Sequence, residues 1–109
     1  MPTAQLTQAL AALGDPTRRA VLDGLRGGER SVGDLASGLP VSRPAVSQHL
    51  AVLLQCGLVK ERPAGTRRLY RIEPSGFESV RAYVEGFWTD VLGAYAAAAH
   101  DQATEGGTP

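Results

Sequence analysis

The feature that most constrains this chain is its punctuation. Apolar residues recur every three or four positions, and the runs are cut short by glycine and proline at Gly14, Pro16, Gly27-Gly28, Pro40 and Gly57. Such spacing predicts several short amphipathic helices rather than one long one. "TAQLTQALAALG" places Leu6, Leu10 and Leu13 on one face and stops at Gly14. Asp15 followed by Pro16 reads as an N-cap with proline at the first helical position, opening a helix through Val21, Leu22 and Leu25 to Gly27-Gly28. Ser31 and Asp34 resemble a capping box for a third helix, "VGDLASGL". Ser42 caps a fourth, which runs to Gly57.

After Gly57 the period changes. "LVKERPAGTRRLYRIEP" alternates Leu69 and Arg71 against Tyr70 and Ile72 across a turn expected at Pro63-Ala64-Gly65, a two-stranded hairpin with a basic tip. Ser75 and Glu78 then have the S-x-x-E spacing of a capping box. They precede a long last helix carrying Phe77, Val80, Val84, Phe87, Val91 and Tyr95 at helical spacing. The closing "HDQATEGGTP" reads as a frayed tail. The expected fold is mainly α with a small β-hairpin, in the order α-α-α-α-β-β-α. Residues 1–100 form a single domain that includes dimerisation helices, and 101–109 a disordered tail.

The fourth helix has an unusual surface. Val46, Leu50, Leu53 and Leu54 form its inward stripe, while Pro44, Gln48 and Ala51 face out, flanked by Arg43, Ser47 and His49. An ordinary solvated helix would carry glutamate and lysine there; this one has no acid. A helix lying in the major groove needs donors and acceptors for base edges near its N-terminus, and no carboxylates to repel phosphate. Gln pairs with adenine, Arg with guanine and Ser with either. Leu35, Leu39, Val41, Val46 and Leu50 can meet across the turn between the third and fourth helices, as a helix-turn-helix requires. A hairpin directly after it makes the motif winged. Arg62, Arg67 and Arg68 on that hairpin are candidates for phosphate or minor-groove contact. His49 serves equally well as a packing residue.

Charge supports the same reading. The net charge is zero, but residues 43–71 hold six bases against Glu61 alone, and residues 72–109 hold Arg81 against six acids. A +5 middle beside a −5 end suggests a polyanion partner for one part only. The last helix also carries Tyr83, Trp88 and Leu92. With these, its apolar stripe is wider than one chain can bury, which suggests a dimer interface.

Three segments, "LGDPTRRAVLDGL", "SRPAVSQHLAVLLQCGLV" and "GTRRLYRI", resemble the ArsR/SmtB family of bacterial winged helix-turn-helix repressors, in the same order and spacing, over roughly residues 6–95. The resemblance implies a homodimer built on the first and last helices, with Leu6, Leu10, Phe77, Val80, Val84, Phe87, Trp88, Val91 and Tyr95 in the interface. It implies repression through a palindromic double-stranded DNA operator, with release on a signal. No small-molecule effector is assigned by these residues.

Metal-sensing members carry two cysteines in a stretch like "ELCVCDL"; here "ERSVGDL" places Ser31 and Gly33 at those positions. Others use Asp-x-His on the last helix, where Asp90 is followed two residues later by Leu92 and the nearest histidine is His100. Neither set reaches four ligands, so no metal site and no cofactor are expected. Thiol switching needs two cysteines, and Cys56 is alone. An enzyme is not expected either. Ser47 and His49 point about 200 degrees apart on one helix and cannot pair as nucleophile and base. "GLRGGERSVG" also lacks the Lys-Ser/Thr ending of a phosphate-binding loop. With no membrane-length apolar run and no signal-like start, a cytoplasmic protein with no membrane partner is expected. The competing reading is a winged-helix module for protein or RNA contact without an operator.

Overall fold

The computed structural model describes the backbone of residues 2–106 and the side chains of residues 4–100. The element order is α1 (Pro2–Leu13), α2 (Pro16–Asp23), α3 (Val32–Ser37), α4 (Arg43–Gln55), β1 (Val59–Ala64), β2 (Arg67–Ile72), a 3-10 turn (Pro74–Phe77) and α5 (Glu78–Gly106). The chain divides into two compact units, Met1–Ser79 and Val80–Pro109.

In the first unit the starts of α2, α3 and α4 are each made by a local side chain. The Asp15 carboxylate accepts from the backbone N–H of Thr17 and Arg18 at 2.9 and 3.0 Å. These bonds, that from Arg18 foremost, lower its pKa. Ser31 Oγ accepts from Asp34 N, and Ser42 Oγ from Ala45 N. Pro16 and Pro44 stand in the first turns of α2 and α4, where no N–H is missed. Helix α2 ends at Asp23, earlier than the Gly27-Gly28 stop expected from composition. There the C-cap Gly24 passes so close to Leu35 that a Cβ would lie 2.7 Å from Leu35 Cδ2. Arg18 and Arg19 reach back to the last carbonyls of α1, at Ala12 and Leu13, and so satisfy acceptors that the helix end leaves open.

The core sits between α2, α3, α4 and the hairpin: Val21, Leu22, Leu25, Leu35, Val46, Leu50, Leu53, Leu58, Val59 and Tyr70 are buried. Fully burying side chains of this size contributes about 1.5–3 kcal/mol each. Helix α4 therefore turns the face predicted from its spacing into the core.

The hairpin is antiparallel, with Val59 opposite Ile72 and Ala64 opposite Arg67. Its turn is Gly65-Thr66, which shares only Gly65 with the turn expected at Pro63-Ala64-Gly65, and Pro63 lies within β1 opposite Arg68. Gly65 has φ +65°, and among the described residues no residue other than glycine has a positive φ. That pattern is the two-residue II′ turn, whose twist matches the strands and which requires glycine first. Pro63 is tolerated because a two-stranded ribbon has only edges. Arg30 and Tyr70 exchange backbone hydrogen bonds at 3.0 and 2.9 Å, so the loop before α3 adds one rung beside β2.

The capping box expected from Ser75 and Glu78 does not form. Pro74 starts a 3-10 turn, so Ser75 already lies inside a helical turn, and its hydroxyl donates to Glu73 Oε2 at 3.3 Å. Gly76 in that turn packs against the backbone of Gly57, where a Cβ would have no room.

The second unit is the body of α5. The helix extends through 101–106, where composition predicts a tail; an alanine run and the absence of proline favour its continuation. Residues 107–109 lie outside the described residues. Along α5, Tyr83, Val84, Phe87, Trp88, Val91, Leu92 and Tyr95 are all exposed. At 100° per residue they fall within about half the helix circumference. Tyr83 and Phe87 make an edge-to-face pair with centroids 5.0 Å apart. No helix among the described residues is long and apolar enough to cross a membrane.

Candidate nucleic-acid interface

The outward face of α4 is built by the inward one. With Val46, Leu50 and Leu53 fixed in the core, Arg43, Pro44, Ser47, Gln48 and Ala51 are left exposed. Ser47 and Gln48 have no side-chain hydrogen-bond partner among the described residues. Helix α4 has no acid in its first turn. His49 stands apart from this set. It is half-buried, close enough to Asp15 for its charge to help lower that carboxyl's pKa, and so faces the start of α2.

Arg43 lies across Gly33 of α3, where an added Cβ would be 3.0 Å from its Nη2 and 3.3 Å from its Cζ. The glycine thus has a local reason. Glycine in a helix is about 1 kcal/mol poorer than alanine, yet a methyl here would press on the guanidinium, which would have to give by a few tenths of an ångström. Arg43 has no ion-pair partner among the described residues.

The hairpin bases are differently placed. Arg62 makes a two-pronged pair with Glu29, Nε and Nη2 each 2.8 Å from a carboxylate oxygen. The hydrogen bond holds Glu29 below the usual carboxylate range and raises Arg62. Arg62 therefore ties β1 to the loop after α2. Arg67 Nη1 lies 3.7 Å from Asp34 Oδ2, and Arg68 Nη1 lies 3.5 Å from Glu61 Oε1. Glu61 also faces Tyr70 across the strands; burial first, and this carboxylate second, push the Tyr70 phenol up. Of the six bases in residues 43–71, three are thus met by carboxylates. Two of those carboxylates, Glu29 and Asp34, come from outside the segment, so the +5 counted along the chain is smaller in space. Arg67, Arg68, Arg43, Asp34, Ser37 and Thr66 share an open cleft of about 670 Å³ where the hairpin tip meets α3 and the start of α4.

The residues read as a dimer face divide by position. Leu6 is half-buried and Leu10 is 42% exposed on α1, Phe77 and Val80 are half-buried, and Val84, Phe87, Trp88, Val91 and Tyr95 are exposed on α5. Cys56 is half-buried, with Sγ 3.6 Å from the Gln8 carbonyl oxygen. Among the described residues no three His, Cys, Asp or Glu side chains are grouped to hold a metal ion.

Residues 15–61, which run from the α2 cap into β1, match the family model described as bacterial regulatory protein, arsR family. The HTH-type transcriptional regulator Rv2034 of Mycobacterium tuberculosis is 53% identical over 89 residues, covering 82% of this chain and 83% of that protein. The transcriptional repressor SdpR of Bacillus subtilis is 37% identical over 60 residues, 55% of this chain and 67% of that one. Among solved structures, an ArsR-like transcriptional regulator from Rhodococcus sp. RHA1 superposes with a TM-score of 0.72 at 34% identity, over 89% of this chain and 94% of that one. The homodimeric winged helix-turn-helix DNA-binding domain of Mb0332 from Mycobacterium bovis gives 0.64 at 31% identity, over 79% and 82%. With helix-turn-helix, hairpin and flanking helices all in place, this chain belongs to the arsR family of bacterial regulatory proteins, transcriptional regulators with a winged helix-turn-helix DNA-binding domain.

Proposed function

We propose that the chain is a homodimeric repressor that reads an inverted-repeat operator in duplex DNA. The observation that carries this is the bare outer face of α4: Ser47 and Gln48 exposed, without internal partners, on a helix that carries no acid. Such groups are satisfied by base edges in a major groove. Arg43 and Pro44 complete the face, while His49, turned toward Asp15, serves packing first. Arg67 and Arg68 contact the phosphate backbone from the wing, and Arg62 braces it through Glu29. The apolar half of α5, with Leu6 and Leu10 of α1, takes the second chain, so that two copies of α4 read half-sites about 34 Å apart, one turn of DNA. The chain acts by binding rather than catalysis, in the cytoplasm where the chromosome lies.

Selection of bound sequences from random duplexes tests all of this together. The expected result is an inverted repeat with half-site centres one helical turn apart or close to it. Binding to single-stranded RNA in preference to duplex, or recovery of no common sequence, would overturn the reading in favour of a winged helix used for other contacts.

A further inference from the structure

The cleft between wing, α3 and α4 holds three guanidinium groups and one carboxylate. Arg43 lies flat over Gly33, Arg68 leans toward Glu61 at 3.5 Å, and Arg67 toward Asp34 at 3.7 Å. The Asp34 backbone is fastened from two sides: its N–H donates to Ser31 Oγ, and its carbonyl accepts from Arg30 Nη2 at 3.1 Å. The backbone is thus fixed, and the short Asp34 side chain keeps its carboxylate close to the cleft, while Arg67, on a longer and more flexible stem, can move further away. Both side chains of the pair are more than half exposed, 60% and 52%. A long exposed pair of this kind is weak and exchanges partners readily. A cleft that is open, polar and rich in guanidinium suits a phosphate, which several arginines can grip at once.

We infer that this cleft seats one backbone phosphate of the duplex, and that Asp34 is an internal competitor for Arg67 that sets the affinity for DNA of any sequence. The inference rests on the DNA-binding reading above and adds a residue to it. When the phosphate enters, Arg67 turns from Asp34 to it, and the carboxylate, on its short side chain, is left near a like charge. That opposition is the same on every duplex. Asp34 therefore sets the absolute strength of binding, and the outer face of α4 sets the preference between sequences.

The test is a salt-titrated binding series on the full chain with an operator duplex and a scrambled duplex. Asp34→Asn removes the charge and keeps the shape; Asp34→Ser, a residue accepted in a first helical turn, serves if the first variant melts early. The variant should bind both duplexes roughly threefold to tenfold more tightly near 0.15 M salt, the range set by releasing an exposed pair and removing a nearby like charge. Its log–log salt slope should stay close to the wild type's, because Arg67 meets the same phosphate in both. The operator-to-scrambled ratio should stay as it was. In an Arg67→Ala background the same change should give most of its gain back. Unchanged or weaker binding by both variants overturns the inference, as does an equal gain without Arg67. A wild-type chain that binds neither duplex fails the DNA-binding reading instead.

Discussion

Helices α4 and α5 both expose a face, and the two faces are opposite in kind. Helix α4 buries Val46, Leu50 and Leu53 and shows solvent a short polar face with bare hydrogen-bonding groups. Helix α5 shows solvent seven large apolar side chains, from Tyr83 to Tyr95, over about half its circumference. Water satisfies the first face without difficulty and the second poorly. The α4 face can therefore wait for its partner, because nothing drives it to associate until matching donors and acceptors arrive. The α5 face cannot wait, and it is expected to be covered whenever the protein is in solution. Selective recognition and obligatory association thus call for different surfaces.

The sharpest way to break that contrast is to make α5 polar. Phe87→Asp with Val91→Asp should place like charges in an apolar interface and yield monomers by sedimentation. Operator affinity should fall by at least about 100-fold, since a single half-site offers too small a binding surface. A double mutant that stays dimeric would remove α5 from the interface. Next in size, Ser47→Ala and Gln48→Ala should each cost on the order of 1–3 kcal/mol of discrimination between operator and altered operator. Their helix content should be unchanged, because neither side chain touches the core. Equal preference in both mutants would move sequence reading off α4.

Smaller effects sharpen the comparison. Arg67→Ala with Arg68→Ala should weaken binding to all duplexes alike and flatten the salt slope by about 0.9 for each phosphate the wing no longer neutralises. Gly33→Ala should favour the α3 helix by propensity yet weaken DNA binding several-fold, because the new methyl displaces the Arg43 guanidinium; thermal melting and a shift assay on one sample would separate the two. The smallest effect concerns Glu29. Its pKa is lowered in the folded chain, so its contribution is fully present above the ordinary carboxylate pKa and is lost as pH falls through the folded value. Protection of the β1 amides, taken relative to the intrinsic exchange rate at each pH, should fall over that acidic range in the wild type, and Glu29→Gln should show the lower protection already at neutral pH.

What is legible in the sequence is local. The caps at Asp15, Ser31 and Ser42, the inward stripe of α4 and the hairpin all rest on residues within a few positions of one another, and each forms. The hairpin turn falls at Gly65-Thr66 because the II′ geometry needs glycine first, whereas Pro63 fits an edge strand and marks no turn. The Ser75–Glu78 spacing misleads because Pro74 starts its own helical turn. The charges are least legible. Glu29 meets Arg62 across 33 positions, and Arg67 meets Asp34 across a similar span, so counting charge by segment overstates the wing. Arg18 and Arg19 close the end of α1 through carbonyls six positions back. That reach is visible only once the corner at Gly14 has been folded.

The close approach of Gly57 and Gly76 has a consequence for which mutations the protein can survive. No side chain fits at Gly76, and at Gly57, where there is space for a Cβ, the φ of +76° strains any other residue, so both positions are restricted within a single folded chain. Gly86 and Gly93 of α5 stand in open space, with nothing within 4 Å of an added Cβ. A saturation library scored for folding and, separately, for operator binding would therefore sort its glycines by what surrounds them. Failures at 57 and 76 would appear in both screens, whereas a failure at 86 or 93 confined to the binding screen would mark a neighbour that exists only in the assembled repressor.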